Sequence, residues 1–345
     1  MHMADALLSP AVGTTFWAGS LGIIAYCSKR LKNDINEKMV PLMGVLAAFI
    51  FAGQMINFTI PGTGSSGHIG GGMILAILLG PSAAFIAIAS VLAIQSLFFA
   101  DGGILALGCN IWNMGVYPCF VAYPLIYRTI TRRDKTPGRI MIASMLSVIV
   151  ALGLGSFSVV LQTLLSGRSE LPFAAFAALM LPIHLAIAVG EGFITGGFVN
   201  YVRSVRPEIF DIVEGTGKLR ESFSMKKVLI SISLLVIITG GILSWFASTH
   251  PDGLEWSIEK IYGTAELPGH ENGIVPKLKD IQEKTTILPD YDFAGKENRE
   301  TAGTEKSWPA VNAGASVSGL LGSVMVIGLI SIFGFVIRIF KRIRN

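Results

Sequence analysis

Five histidines stand in this chain of 345 residues, and the first of them, His2, is set apart by its position. The amine of residue 1, the amide nitrogen joining residues 1 and 2, and Nδ1 of His2 can chelate one divalent ion. The first pair closes a five-membered ring and the second pair a six-membered one. Methionine aminopeptidases cleave only before small residues, so Met1 is expected to keep its free amine ahead of His2. Three such nitrogens occupy three corners of a square, and the amide must give up its proton to join them. Ni(II) and Cu(II) favour that strong planar nitrogen field, whereas Mg, Ca and Mn do not. His68 is the candidate for the fourth corner. It closes the loop Phe58-Thr59-Ile60-Pro61-Gly62-Thr63-Gly64-Ser65-Ser66-Gly67-His68, whose glycines and serines let backbone enter a crevice. A histidine at position 2 is common by itself, so the weight falls on the conjunction with His68.

Around these stand polar groups in otherwise apolar surroundings: Gln54, Asn57, Asp101, Asn110 and Asn113. Each could orient an imidazole from behind or join two helices. His184 and Glu191, seven residues apart, share one face of a helix. Ionisable groups inside apolar runs are functional candidates by default, and an interhelical hydrogen-bonded pair is the other reading. His250 and His270 lie in a hydrophilic stretch and read as solvated. Cys27, Cys109 and Cys119 are odd in number and lack metal-ligand spacing, which makes them small buried hydrophobes. No phosphate-cradling Gly-x-x-x-x-Gly-Lys-[Ser/Thr] loop, His-Glu-x-x-His or Cys-x-x-Cys occurs. Gly70-Gly71-Gly72 and Gly196-Gly197 suit close helix packing.

Elements able to hold such a site must be built from an unusually apolar chain. Hydrophobic residues make up 52% and charged ones only 14%, against about 25% charged in soluble domains. From Met39 through Tyr127 the only Asp, Glu, Lys or Arg is Asp101. That excludes a soluble enzyme. The net charge of +4 is spread over short loops and offers no nucleic-acid face. Met1 through Asp5 carries an acid and no basic residue, unlike a secretory signal. Spans of about 20 apolar residues are expected at 11–28, 39–57, 69–80, 82–99, 106–126, 140–164, 174–200, 228–248 and 316–337. The third is short and should meet the fourth at a Gly80-Pro81 break shielded by protein. Basic residues cluster after spans 1, 5 and 7 and in the tail, as with Lys29, Arg30, Arg132, Arg133, Arg203, Lys226 and Arg342. By the positive-inside rule the N-terminus is outside and the C-terminus cytoplasmic.

The expected fold class is therefore an all-α integral membrane protein. A seven-span block covers 1–202, a cytoplasmic linker 203–227, and a two-span hairpin 228–345 encloses an outer hydrophilic segment, 249–315. Asp252 with Glu255 three residues on predicts a capped surface helix, and the segment is expected to dock on the first block. Pro268-Gly269-His270 and Asn298 through Thr304 read as loops.

Four stretches carry a family resemblance: Met1-His2-Met3-Ala4-Asp5 through Pro10; Gln54-Met55-Ile56-Asn57; Pro61 through His68; and Phe99-Ala100-Asp101-Gly102-Gly103 through Asn110. They are similar to the NikM/CbiM family, the substrate-capture components of energy-coupling-factor type ABC transporters for nickel or cobalt. The similarity covers residues 1 to about 202. Residues 228–345, with Pro251-Asp252-Gly253-Leu254-Glu255, resemble the small NikN/CbiN partner, here fused. The resemblance implies a helical capture component that is not itself an enzyme and has no cofactor, with Ni2+ or Co2+ as the transported substrate. It implies Met1, His2 and His68 as metal ligands, and a transmembrane coupling protein with two cytoplasmic ATPases as partners in the lipid membrane. Ser65-Ser66-Gly67-His68 departs conservatively from a Thr-Ser-Gly-His pattern. Cobalt uptake, a stand-alone ion-coupled permease, and a membrane enzyme using His184 and Glu191 are the competing readings.

Overall fold

Where apolar side chains surround the backbone, its N–H and C=O groups must bond to one another, and each apolar run carries a helix. The structure is a computed structural model that describes residues 2–34, 39–207, 209–210, 225–269, 273–293 and 309–342. Met1, most of the linker, His270 and the loop from Asn298 through Thr304 lie outside the described residues. The first block comprises α1 (Pro10–Asp34), α2 (Met39–Gln54), α3 (Gly72–Leu79), α4 (Pro81–Phe99) and α5 (Leu107–Ile111). The last widens into a π-helical stretch, Trp112–Tyr127, and finishes as α6 (Arg128–Thr131); α7 (Pro137–Leu165) and α8 (Phe173–Val205) follow. Pro118 and Pro124 lie inside the wide-wound stretch, where neither has an N–H to give to a tighter ladder. The second part holds α9 (Met225–Gly241), α10 (Gly253–Tyr262), α11 (Val275–Thr285) and α12 (Ala313–Arg342). Among the described residues four helices, Pro81–Phe99, Pro137–Leu165, Phe173–Val205 and Ala313–Ile339, are long and apolar enough to cross a membrane.

The short apolar helix α3 is wholly covered by its neighbours. All eight residues of α3 are buried, walled by α4, α7, α8 and the π-helical stretch. Gly71 enters it at φ 73° and Gly80 leaves it at φ 76°, the left-handed region that side chains resist. Pro81 then begins α4, so the break expected from the sequence is present, half-buried at the edge of a cavity. Gly80 and Pro81 border a cavity of about 460 Å³ together with Arg30, Arg128, Arg132 and Arg203. Eight residues of helix cover only about 12 Å.

The second part grips the first at both levels. Helices α9 and α12 pack on each other and on α2. They meet at a glycine pair, where a Cβ on Gly319 would stand 2.6 Å from the Gly240 carbonyl oxygen. The expected capping box is formed: the Asp252 carboxylate accepts from Leu254 N–H at 2.7 Å and Glu255 N–H at 2.9 Å, and Glu255 accepts from Asp252 N–H at 3.1 Å. Further on, α11 covers the end of α4. Gln282 donates to the Ser96 and Gly102 carbonyls at 2.8 Å, and Thr285 donates to Leu97 O at 2.7 Å. These side chains satisfy carbonyls that a helix end leaves without intrahelical partners. The described part of the hydrophilic segment 249–315 docks on the first block.

Candidate metal centre

A two-stranded hairpin delivers His68. Strand β1 (Phe58–Ile60) pairs antiparallel with β2 (Ser65–Gly67), with Phe58 opposite Gly67 and Ile60 opposite Ser65. Gly62 and Gly64, both near φ +75°, make the turn. Gly67 must be glycine because Ile187 of α8 presses on it; a Cβ there would lie 2.5 Å from the Ile187 side chain. His68 leaves this wedge with Nδ1 3.0 Å from the Ile69 carbonyl. Only a protonated Nδ1 can bond to a carbonyl, so the proton sits there and the lone pair on Nε2.

The N-terminal residues are held as firmly. Met3 is fully buried; its N–H donates to Asn110 Oδ1 at 2.9 Å, and its carbonyl accepts from Gly103 N–H at 3.0 Å. Asp5 accepts from Ala106 N–H at 2.9 Å. These bonds carry His2 against His68. The two rings stack with centroids 5.1 Å apart and planes 14° from parallel. His2 Nδ1 stands 3.2 Å from Asp101 Oδ1, while His2 Nε2 is buried without a hydrogen-bond partner among the described residues. The Tyr291 hydroxyl donates to the other oxygen of Asp101. Burial pushes both imidazoles down to about 3, so both are neutral at ordinary pH, the form that can ligate a metal.

The polar groups singled out in the sequence divide by role. Asp101 meets His2 and Asn110 ties down Met3. Gln54 donates to the Gly70 carbonyl at 2.9 Å and accepts from Gln95, also at 2.9 Å. Asn113 exchanges hydrogen bonds with Gln162 and so joins two helices. Asn57 offers its carbonyl to Ser248 N–H. His184 and Glu191 find separate partners: His184 Nδ1 bonds the Met180 carbonyl. The Glu191 carboxylate accepts from Gly70 N–H and Gly71 N–H, both at 2.9 Å. Glu191 thus clamps the backbone two and three residues beyond His68. Glu191→Gln would turn an amide NH2 toward one of these buried N–H groups. A loss of about 1–3 kcal/mol is expected, read as a lower thermal midpoint; a variant melting with the wild type would show that the clamp does not hold the loop.

A helical bundle with, among the described residues, four membrane-long apolar helices and a pair of stacked imidazoles defines a multi-pass membrane protein built around a candidate cation site. The chain belongs to the CbiM family: the model for the cobalt uptake substrate-specific transmembrane region matches residues 2–209. A PDGLE domain matches residues 226–339. Among its relatives, a putative fused nickel transport protein NikMN of Archaeoglobus fulgidus is 31% identical over 95% of this chain and 96% of its own length. The cobalt transport protein CbiM of Sorangium cellulosum is 28% identical over 61% of this chain and 95% of its own. A crystal structure of a transition metal transporter aligns with TM-score 0.54 and 31% identity, covering 64% of this chain and all of that one.

Proposed function

We propose that this chain captures Ni2+ at the outer face of the cell membrane as the substrate-specific component of an ATP-driven energy-coupling-factor transporter. The observation that carries the reading is the stacked pair His2 and His68, with the second residue of the chain buried deep enough for backbone nitrogen to act beside it. The proposed donors are the Met1 amine, the amide nitrogen and Nδ1 of His2, and Nε2 of His68. Asp101 now faces His2 Nδ1; chelation through that nitrogen takes a turn of the ring away from Asp101 and the tautomer whose proton sits on Nε2. Gln54, Asp101 and Asn110 steady this set from behind.

The relatives' names support metal transport, and they divide between nickel and cobalt. A planar four-nitrogen field favours Ni2+, and Co2+ is the nearest rival substrate. Seven spans within 1–202 and two in 228–345, joined by the linker 203–227, would leave the N-terminus outside and the C-terminus in the cytoplasm. The chain has no phosphate-binding loop of its own, so ATP hydrolysis falls to two partner ATPases working through a transmembrane coupling protein. X-ray absorption on protein loaded with Ni2+ is expected to show four nitrogen neighbours in a plane. Six oxygen neighbours would overturn the ligand set.

A further inference from the structure

The outer segment reaches the capture site itself. Residues 250–253 run beside β2 as a strap: Ser66 N–H donates to the Pro251 carbonyl at 2.8 Å, and the Ser66 hydroxyl donates to the His250 carbonyl at 2.7 Å. A parallel bridge pairs Ser66 with Asp252. Trp256 Nε1–H bonds the Thr63 carbonyl at 3.0 Å and staples the following turn to the hairpin. Gly253 fits so closely that a Cβ would meet His184 at 3.0 Å and Ile187 at 2.9 Å. The strap therefore presents Asp252 to a small cavity of about 20 Å³ that it lines with His68 and His184.

We propose that Asp252 is a positioning residue that supplies, from the C-terminal domain, a counter-charge for the divalent ion captured by the N-terminal one. This rests on the capture reading above. The proposed donor set carries one negative charge, on the deprotonated amide, against two positive charges on the ion. Asp101 stands at the His2 side of the site and Asp252 at the His68 side. Away from bulk water, an uncompensated charge is costly. The deprotonated amide leaves one positive charge on the filled site, which the Asp252 carboxylate is placed to offset, while Asp101 is engaged by His2 and the Tyr291 hydroxyl.

Asp252→Asn separates charge from architecture, because Asn caps a helix as well as Asp does and still accepts from Leu254 and Glu255. In the full chain with its native start, titrated with Ni2+ alone, this variant is expected to bind about 10- to 100-fold more weakly, the range for groups behind metal ligands. Asp252→Ser, another good cap without charge, should fall equally. Trp256→Phe removes the staple and leaves the charge, and should bind within about twofold of wild type. Binding by Asp252→Asn within twofold of wild type, or an equal fall in Trp256→Phe, would overturn the counter-charge. Undiminished binding by His68→Ala would instead overturn the capture reading on which it stands.

Discussion

One residue added before Met1 is expected to abolish high-affinity metal loading. The added peptide bond turns the Met1 amine into an amide, which cannot offer a lone pair without losing a proton, and moves the free amine one residue further from His2. The five-membered ring then closes on different atoms, and a second amide must be deprotonated. The surrounding structure offers no relief. Met3 is fully buried and pinned between Asn110 and Gly103, and Asp5 is bonded to Ala106 N–H. The start of the chain cannot slide back by one residue without breaking these bonds. Equilibrium dialysis of Ni2+ against the native and extended proteins is expected to show a loss greater than about 100-fold, or about 2.7 kcal/mol. Equal loading of the two would remove the amine from the donor set and with it the reason for a planar field. Thermal midpoints of the empty proteins serve as the control, because the hydrogen bonds that hold Met3 and Asp5 do not use the amine.

Local chemistry made some of this legible before any coordinates. Apolar run length located the helices, because a helix is the form in which such a run satisfies its own backbone. The capping box at Asp252 and Glu255 and the break at Gly80-Pro81 depend on neighbours within a few residues, and both are formed. The stacking of His2 on His68 is the contact that the proposed chelate, in need of a fourth donor, leads one to expect. Long-range partners were not legible. Nothing in the spacing of Glu191 announces that its carboxylate will receive Gly70 and Gly71, because a period shows which face of a helix a residue occupies and not what lies opposite. Pairing it with His184 on one face was reasonable, yet each bonds elsewhere. Gln95 and Tyr291 carried no signal. Tyr291 reaches Asp101 across 190 residues, and only the docking of the outer segment brings them together. Asp252 was read as a helix cap, which it is, and its second position beside His68 arises from the strap's pairing with Ser66.

His68→Ala is expected to lose metal loading by more than about 100-fold, while His250→Ala and His270→Ala stay near wild type. The contrast follows from placement. His68 is bonded through Nδ1 to Ile69 O and stacks on His2, whereas His250 is exposed and contributes its backbone to the strap. Groups that merely support metal ligands cost about 10- to 100-fold when removed, so a larger loss marks a donor. The fold should survive, because the hairpin register, the Glu191 clamp and the strap on Ser66 do not use the His68 side chain. Free imidazole offers a sharper discrimination. If His68 donates through Nε2, truncation at Cβ leaves room for an imidazole beside His2, and millimolar imidazole should restore part of the loading. Rescue would fail if His68 served only to pack the loop, since a diffusible ring cannot replace the covalent link to the hairpin. Loading lost equally in all three variants would move the site to the outer segment, and loading lost in none would leave the His2 chelate to be completed by a donor other than His68.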